Sequence, residues 1–325
     1  MLNEVSIFLS GVTVVDHAYI DNQGNIVGGS FNPGFLVTGK IDPVEKVVVD
    51  FSTIKKTIKG LLDERLTGFD HKLWILEGYS KCKKEFQEDR VSIQSASLQL
   101  NIPSNALKVF DANKYSIKEI ELAFDQYLNQ KLAVLYPGVK VKCFNTINSQ
   151  QLIPSQYPVS YFTYCHGLKN STSWGCQNNS HGHLSFISLL GEQTDKQQVG
   201  STELFTLQKE IAKELDRTIF LWKDNLTLQK NDWVTIEYAT EDRGYFLAEY
   251  CTKRNKLAFL NTETTVEFLA NYVCYRWKNE LNSTGATVVA LSEGLSKGGY
   301  VDFRSQFKEE CIIKDSFYLC STGVQ

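Results

Sequence analysis

Hydrophobic and polar positions along this chain switch between the two-residue period of strands and the three-to-four-residue period of helices. Alternating and β-rich runs at residues 5–15, 35–39 and 46–51 predict three strands near the start. Apolar residues at helical spacing then follow Ser52 and extend to Leu66, which predicts a helix with Ser52 as its cap. This helix is expected to pack on the sheet.

The same alternation of periods continues to the middle of the chain. Residues 91–107 alternate like a strand, and Ser116 opens a second helix that extends to about Leu135. Residues 139–144 predict a closing strand after a Tyr-Pro-Gly break. The predicted order of elements in this half is therefore β-β-α-β-α-β.

The second half of the chain shows a similar pattern. Strands are predicted at residues 159–164, 183–190, 233–238, 244–250 and 286–291, and helices at residues 202–222 and 264–281. Because the order of elements repeats, we predict an α+β protein that arose by internal duplication. A polar segment with two prolines, residues 145–158, suits a boundary between units of residues 1–150 and 151–325. The tail, residues 302–325, has no predicted place.

Composition and charge exclude several classes of partner. The formal net charge of the 325 residues is −3, and neither half is strongly basic, so the chain has no electrostatic footprint for nucleic acid or an anionic membrane. It shows neither a signal peptide nor an apolar run of about 18 residues. Its eight scattered cysteines suggest reduced thiols. We therefore expect a cytoplasmic protein that binds a small molecule.

Three of the five histidines lie close together in the sequence. His181 and His183 are two residues apart, so both project from one face of a strand, and His166 can join them from a neighbouring strand. Three neutral imidazoles are the ligand count of a catalytic zinc site with one open position. The alternative is that these are surface or core histidines without a metal.

Cys176 lies five residues before His181. A nearby Zn²⁺ would favour its thiolate form and make it an acid/base group. A lone cysteine is more often a small buried hydrophobic residue. Cys176 could also be a zinc ligand itself, which would close the site.

Two further groups carry carboxylates. Asp70 and His71 form an Asp-His pair at the end of the first helix, and such a pair can transfer protons near neutral pH. Glu293, at the end of the last strand, could accept two N–H donors from the edge of a guanidine-like heterocycle such as a pterin. The alternatives are a solvated turn for Asp70-His71 and a solvent-facing acid for Glu293.

Taken together, these segments resemble the family of 6-pyruvoyl-tetrahydropterin synthase and 6-carboxytetrahydropterin synthase. The resemblance rests on residues 47–55, which lead into the first helix, on the Asp70-His71 pair, and on residues 265–270 before the last helix. Its most specific element is the cysteine followed by His181-Gly-His183. The resemblance covers most of the chain.

The resemblance implies a fold and a site. The fold would be two tandem tunnelling-fold (T-fold) units, each an antiparallel sheet with two helices packed on one face. The implied residues are the zinc ligands His166, His181 and His183, the catalytic thiol Cys176, its proton-transfer partners Asp70 and His71, and the pterin-anchoring Glu293. Sites of this family form where subunits meet, so a homo-oligomer, a trimer-like ring of tandem units, is expected.

The implied activity is that of a zinc-dependent lyase acting on 7,8-dihydroneopterin triphosphate. Loss of triphosphate with carbon-carbon cleavage would give 6-carboxytetrahydropterin and acetaldehyde for queuosine-type 7-deazapurine synthesis. The close alternative is 6-pyruvoyltetrahydropterin, made without that cleavage. A non-catalytic pterin-binding protein and a purely structural zinc protein are the other readings.

The two halves depart from the one-domain pattern of the family in complementary ways. The first half keeps His17, which we reject as a ligand because it has no partner imidazoles, and it has residues 32–35 where the His-Gly-His element is expected. The second half has no Asp-His pair after its first helix. Each half is therefore expected to supply what the other lacks.

Overall fold

The computed structural model describes residues 4–42, 47–145, 158–191, 193–194, 197–198, 202–295, 297–304 and 317–319. In these residues the protein is a mixed α+β structure with several sheets and few helices, in agreement with the predicted class. Most of the predicted boundary segment, residues 146–157, and much of the tail lie outside the described residues.

The N-terminal half, residues 4–145, contains ten strands and two α-helices. Its strands are β1 (Glu4–Leu9), β2 (Val15–Ile20), β3 (Ile26–Phe31), β4 (Pro33–Lys40), β5 (Lys72–Leu76), β6 (Lys83–Gln87), β7 (Arg90–Gln94), β8 (Leu98–Pro103), β9 (Leu107–Phe110) and β10 (Lys140–Asn145). Its helices are α1 (Phe51–Leu62) and α2 (Ile117–Leu135).

The C-terminal half, from residue 158 onwards, contains the remaining elements. Its strands are β11 (Ser160–His166), β12 (His181–Gly191), β13 (Gln193–Thr194), β14 (Gln197–Gln198), β15 (Thr218–Trp222), β16 (Leu226–Lys230), β17 (Trp233–Thr240), β18 (Gly244–Cys251), β19 (Lys256–Leu260), β20 (Ala286–Glu293), β21 (Lys297–Asp302) and β22 (Phe317–Leu319). Its helices are α3 (Thr202–Leu215), α4 (Val266–Arg276) and α5 (Lys278–Ser283).

Four larger sheets and one short hairpin organise these strands. The N-terminal half has the sheets β3-β2-β5-β9 and β1-β4-β10, and the C-terminal half has β21-β20-β12-β11-β15-β19-β22 and the hairpin β13-β14. The sheet β16-β17-β18-β8-β7-β6 takes three strands from each half, and it joins them where β18 pairs with β8. One hydrophobic core cluster lies between α1, α2 and the N-terminal strands, and another between α3, α4, α5 and the C-terminal strands.

The order of elements occurs twice along the chain. In each half an antiparallel strand pair (β2-β3, β11-β12) is followed by a helix, a strand parallel to the first (β5, β15), a three-strand meander, a further parallel strand (β9, β19), a helix and a closing strand. The expectation of purely antiparallel sheets is therefore wrong. The helices α1 and α3 and the two meanders provide the crossover connections that parallel pairing requires.

Helix boundaries depend on caps that the apolar pattern did not show. The side chain of Asp50 accepts a hydrogen bond from the Thr53 amide, so α1 begins after Asp50 and the predicted Ser52 cap is wrong. No strand forms at residues 47–50, just before this cap. Ser116 caps α2 as predicted, with Oγ 3.4 Å from the Glu119 amide nitrogen.

The third helix is shorter than its sequence pattern predicts. Apolar spacing extends to Trp222, but α3 ends at Leu215 and residues 218–222 form the buried strand β15. Arg217 has a φ of +60°, in the left-handed region that no α-helix continues through. The apolar residues after this turn therefore belong to a buried strand and do not extend the apolar face of α3.

Two glycines allow strand β3 of the N-terminal half and strand β12 of the C-terminal half to cross at close range. A Cβ on Gly28 of β3 would lie within 3 Å of main-chain atoms of Tyr164 and His183, and a Cβ on Gly182 of β12 would lie 2.7 Å from the Gly28 Cα. Only glycine permits this approach of two backbones. The crossing brings β2 and β3 of the N-terminal half against the strand that carries His181 and His183.

Among the described residues, none of the helices combines the length and the apolar character that crossing a membrane requires.

Candidate metal and acid-base site

The three histidines singled out by their spacing form one cluster, which we call the three-histidine group. His166 ends β11 opposite His181, the first residue of β12, and His183 lies two residues further along that strand. All three residues are fully buried, and one ring nitrogen of each lies within 4.8 Å of those of the other two. The predicted placement on one face of neighbouring strands is what the structure has.

Main-chain hydrogen bonds of two of the three rings fix which nitrogen is free. Nδ1 of His166 lies 2.8 Å from the Thr264 carbonyl oxygen, and Nδ1 of His181 lies 2.6 Å from the Asn178 carbonyl oxygen. A carbonyl oxygen only accepts, so in each neutral ring Nδ1 carries the proton and Nε2 keeps a lone pair. The Nε2 atom of His181 is buried without a hydrogen-bond partner among the described residues.

The Nε2 lone pairs face one another. Nε2 of His166 lies 3.0 Å from Nε2 of His183, whose Nδ1 faces the Asp16 carboxylate at 3.3 Å. When the His183 proton is on Nδ1, toward Asp16, neither Nε2 can donate to the other, and two buried lone pairs face each other. A cation satisfies all three nitrogens at once, and nitrogen binds zinc at about 2.0–2.1 Å, within reach of this pair. The donor set therefore fits a zinc ion.

Burial keeps two of these rings neutral. Desolvation lowers the pKa of His166 to about 3 and lowers the pKa of His181 well below its ordinary value, with a further contribution from the neighbouring imidazoles. Neutral imidazole is the form that binds a metal. No proton has to leave His166 or His181 at physiological pH before a metal binds.

Asp16, from strand β2 of the N-terminal half, lies behind His183. Its buried carboxylate also accepts a hydrogen bond from the Ser30 hydroxyl at 2.5 Å. Burial raises the pKa of Asp16, but the His183 ring, the His71 ring and the Ser30 hydroxyl outweigh this and leave the pKa below its ordinary value. The carboxylate is therefore ionised beside the ligand ring.

Asp70 and His71 follow α1 and lie beside the three-histidine group. Asp70 Oδ2 lies 2.6 Å from His71 Nδ1, and the His71 ring centroid lies 5.1 Å from that of His181. His71 has a φ of +52°, an uncommon conformation for a residue with a side chain. Its amide donates to the Asp16 carbonyl oxygen at 2.6 Å, which holds the turn in place. The solvated-turn reading of this pair does not fit this geometry.

Cys176 lies in a single turn of 3₁₀ helix, Gly175–Gln177, that packs against His71. A Cβ on Gly175 would lie 2.6 Å from the His71 ring, so only glycine at this position lets the loop approach. The thiol lies close to the His71 ring: Cys176, His71 and His181 each offer a ligand atom within 4.8 Å of the other two. The thiol therefore sits between the Asp70-His71 pair and the three-histidine group.

Cys176 and His71 shift each other's protonation. Burial would raise the pKa of the Cys176 thiol, but the adjacent His71 ring and its charge lower it below its ordinary value. Burial would lower the pKa of His71, but the Asp70 carboxylate and then Cys176 raise it well above its ordinary value. This combination favours a thiolate beside an imidazolium, which is the arrangement of an activated cysteine.

Glu293 is the last residue of strand β20 and lies near the three-histidine group. It is buried, and its Oε1 lies 2.7 Å from Nζ of Lys297. Burial raises the pKa of Glu293, but His183 and the Lys297 ammonium lower it below its ordinary value. A buried, ionised carboxylate at this position can accept N–H donors from a ligand.

Arg243, in the turn between β17 and β18, ties the cysteine loop to His71. The guanidinium donates to the carbonyl oxygens of Trp174 at 3.0 Å, Gly175 at 2.8 Å and His71 at 3.3 Å. It also lies over the Trp174 ring, 3.8 Å from its centroid, and is 3% exposed. One buried side chain therefore holds the loop of the C-terminal half against a residue of the N-terminal half.

The repeated topology provides a counterpart to the Asp70-His71 pair. The Arg217 amide donates to the Thr163 carbonyl oxygen at 2.7 Å, as the His71 amide donates to Asp16, and the φ angles of Arg217 and His71 are +60° and +52°. Thr163 likewise donates its amide to the Asp216 carboxylate. The second half therefore keeps the turn and its carboxylate, but an arginine stands where the imidazole would be.

The counterparts of the three-histidine group follow from the same strand registers. Strand β2 pairs with β3 and β5 as β11 pairs with β12 and β15, and these registers give Tyr19, Val27 and Gly29 as the equivalent positions. The expectation that residues 32–35 replace the His-Gly-His element is therefore wrong, because residues 27–29 do. No imidazole occupies these three positions.

His17 lies outside the site, as predicted. Its ring stacks on Trp74 with centroids 3.5 Å apart, and its Nε2 lies 2.9 Å from the Tyr115 hydroxyl oxygen. Desolvation lowers its pKa to about 4. A Cβ on Gly29 would lie 2.6 Å from that hydroxyl and 2.7 Å from His17 Nε2, so these two side chains fill the second copy of the site.

Sequence reasoning missed Asp16, Arg243 and Lys297. Asp16 had a signal in the sequence, because Asp16-His17 is the same dipeptide as Asp70-His71. In this first dipeptide, however, it is the aspartate and not the histidine that contacts the site. Arg243 lies in a distant turn with no local pattern around it, and its contacts exist only once the halves pack.

Comparison with known proteins gives structural matches but no sequence match. Neither protein-family models nor curated proteins match this chain. A structure of 6-pyruvoyl tetrahydropterin synthase from Plasmodium vivax matches at 15% identity with a TM-score of 0.36, covering 45% of this chain and 94% of that chain. A structure of the synthase from Plasmodium falciparum matches at 14% identity with a TM-score of 0.33, covering 44% of this chain and 98% of that chain.

Proposed function

We propose that this chain is a zinc-dependent lyase of the 6-carboxytetrahydropterin and 6-pyruvoyltetrahydropterin synthase type. One observation carries the proposal: ring nitrogens of three buried imidazoles converge beside a cysteine that lies next to the Asp70-His71 pair. The sequence resemblance described above supplies the substrate, 7,8-dihydroneopterin triphosphate. Two tandem T-fold units, residues 1–150 and 151–325, would share this one site.

Each residue has a defined part in the proposed reaction. His166, His181 and His183 would hold zinc, which supplies Lewis acidity to the hydroxyls of the substrate side chain. The thiolate of Cys176 would accept a proton from the substrate, and the His71 imidazolium, held by Asp70, would stabilise that thiolate and donate its own proton to the substrate. Transfer of the proton from the Cys176 thiol to His71 would then restore both groups. The zinc ligands and Cys176 come from the C-terminal half and the Asp70-His71 pair comes from the N-terminal half. One chain would therefore contain all the residues that this reaction needs.

Glu293 would orient the substrate. Its ionised carboxylate can accept two parallel N–H donors from the pterin edge, which places the side chain of the substrate toward the three-histidine group. The ion pair with the half-exposed Lys297 is open to solvent, so it costs little to exchange for these donors.

The preferred product is 6-carboxytetrahydropterin, formed with release of acetaldehyde, for queuosine-type 7-deazapurine synthesis in the cytoplasm. The alternative product, 6-pyruvoyltetrahydropterin, needs the same residues. We therefore expect purified zinc-loaded protein, incubated with the triphosphate substrate, to release acetaldehyde together with 6-carboxytetrahydropterin. Chromatography of the pterins and enzymatic detection of acetaldehyde measure both products.

Each other outcome selects a different reading. A pyruvoyl product without acetaldehyde identifies the alternative synthase. Binding of the pterin without any product identifies a non-catalytic pterin-binding protein, for which Cys176 and His71 have no use. The matched control is the Cys176→Ala variant, which keeps the three-histidine group.

A further inference from the structure

Asp16 makes more contacts in the site than its position in the N-terminal half suggests. Its carboxylate faces Nδ1 of His183 at 3.3 Å and accepts the Ser30 hydroxyl at 2.5 Å. The Ser30 oxygen in turn accepts the Leu184 amide at 3.0 Å, next to His183 in the chain. The other two histidines of the three-histidine group have main-chain carbonyls behind them, so His183 alone faces a charged acceptor.

The main chain of Asp16 contacts the acid-base pair. The Asp16 amide donates to Oδ1 of Asp70 at 2.9 Å, and the Asp16 carbonyl oxygen accepts the His71 amide at 2.6 Å. The carboxylate of Asp70 is thereby held between Asp16 on one oxygen and the His71 ring on the other. One residue therefore connects a ring of the three-histidine group to both members of the pair.

The chain next to Glu293 also packs on this carboxylate. Gly294 has a φ of +66°, and a Cβ there would lie 2.7 Å from Asp16 Oδ1. A side chain at Gly294 would displace the carboxylate from His183. Glycine at position 294 therefore leaves the space that the Asp16 carboxylate occupies.

We propose that Asp16 is a positioning residue that orients His183 toward the metal and, through its main chain, keeps Asp70-His71 in register with it. This inference rests on the zinc site of the proposed function. A buried carboxylate without a partner is costly, and an imidazole bound to a metal through Nε2 is a stronger donor at Nδ1. The metal and the carboxylate therefore stabilise each other through the His183 ring.

The test compares Asp16→Asn with Asp21→Asn. Asp21 is an equally buried carboxylate just after the same strand, where it accepts the amides of Gln23 and Asn25 away from the site. We expect Asp16→Asn to weaken zinc binding by about 10–100-fold in competition with a chromophoric chelator, and Asp21→Asn to leave it unchanged. The visible absorption of the cobalt-substituted protein should shift in Asp16→Asn only.

A purely structural role predicts another pattern. It would lower the thermal stability of the metal-free protein in both variants while leaving zinc affinity and the cobalt spectrum as in wild type, and that result would overturn the proposal. If Asp16→Asn does not fold, Ser30→Ala provides the second test. Removing that hydroxyl leaves the carboxylate in place and should weaken zinc binding by about fivefold; an unchanged affinity contradicts the proposal.

Failure of the zinc site itself would look different. Wild-type protein that binds no zinc or cobalt would contradict the proposed function before any variant is compared. Wild-type protein that binds zinc as tightly as Asp16→Asn does would contradict only the role of Asp16.

Discussion

Replacing Cys176 by alanine is expected to lower kcat by about 10²–10⁴-fold while the zinc content per chain stays unchanged. The magnitude is that of losing a positioned acid/base group. The thiol lies beside His71, whereas His166 and His181 are held by main-chain acceptors at Nδ1 that do not involve the thiol. Removing the thiol should therefore remove proton transfer and leave the metal in place.

Steady-state kinetics and metal analysis of the same preparation test this expectation. Cys82→Ala is the matched control, because Cys82 is a partly buried thiol whose pKa is raised by burial and which lies on the edge of the six-stranded sheet. The control should keep full activity and full zinc. Loss of zinc together with activity in Cys176→Ala would show that the thiol is a metal ligand.

Replacing Arg243 by methionine is expected to have the largest effect on stability. The buried guanidinium donates to the carbonyl oxygens of Gly175 in the C-terminal half and His71 in the N-terminal half. Each charge-assisted hydrogen bond of this kind contributes about 1.5–3 kcal/mol. Loss of the guanidinium removes several charge-assisted hydrogen bonds from a buried site, so we expect a decrease in the free energy of unfolding of about 3 kcal/mol or more. Burial lowers the pKa of Arg243 to about 9, which still leaves it charged at neutral pH.

The same substitution should release Cys176 from His71. Contact with His71 lowers the pKa of the thiol, so loosening the loop should raise that pKa. The pH profile of iodoacetamide alkylation at Cys176 should accordingly shift to higher pH in Arg243→Met. Because His71 lowers the pKa of the thiol, the alkylation profile of the wild-type protein should lie at lower pH than that of Arg243→Met.

Arg90→Met is the control for the effect of removing a guanidinium. Arg90 also donates from Nε and both terminal nitrogens, to Asn101 and the Tyr245 carbonyl, and it contacts the Tyr245 ring, but on the six-stranded sheet away from Cys176. It should lower stability without moving the alkylation profile. Equal profiles for the two variants would contradict the role given to Arg243.

The sequence was informative where chemistry and spacing are local. His181 and His183 are two residues apart on a strand, so their common face follows from strand geometry alone. The α+β class followed from the change of period along the chain. The metal, the roles of the site residues and the homo-oligomer stay predictions.

The sequence was less informative where tertiary contacts decide. Apolar spacing continued the third helix through Trp222, although the left-handed turn at Arg217 follows its last residue and is followed by a strand. Asp16 and Arg243 act on partners more than 50 positions away, and no local pattern marks such contacts. The parallel strand pairs depend on the same long-range packing.

Zinc K-edge absorption of the zinc-loaded protein, with zinc counted per chain, tests the central claim most directly. The account predicts one zinc per chain, because the equivalent positions in the N-terminal half are Tyr19, Val27 and Gly29. It also predicts three imidazole nitrogens at about 2.0–2.1 Å from the zinc and no sulfur ligand. A sulfur ligand at about 2.3 Å that disappears in Cys176→Ala, or two zinc ions per chain, would contradict it.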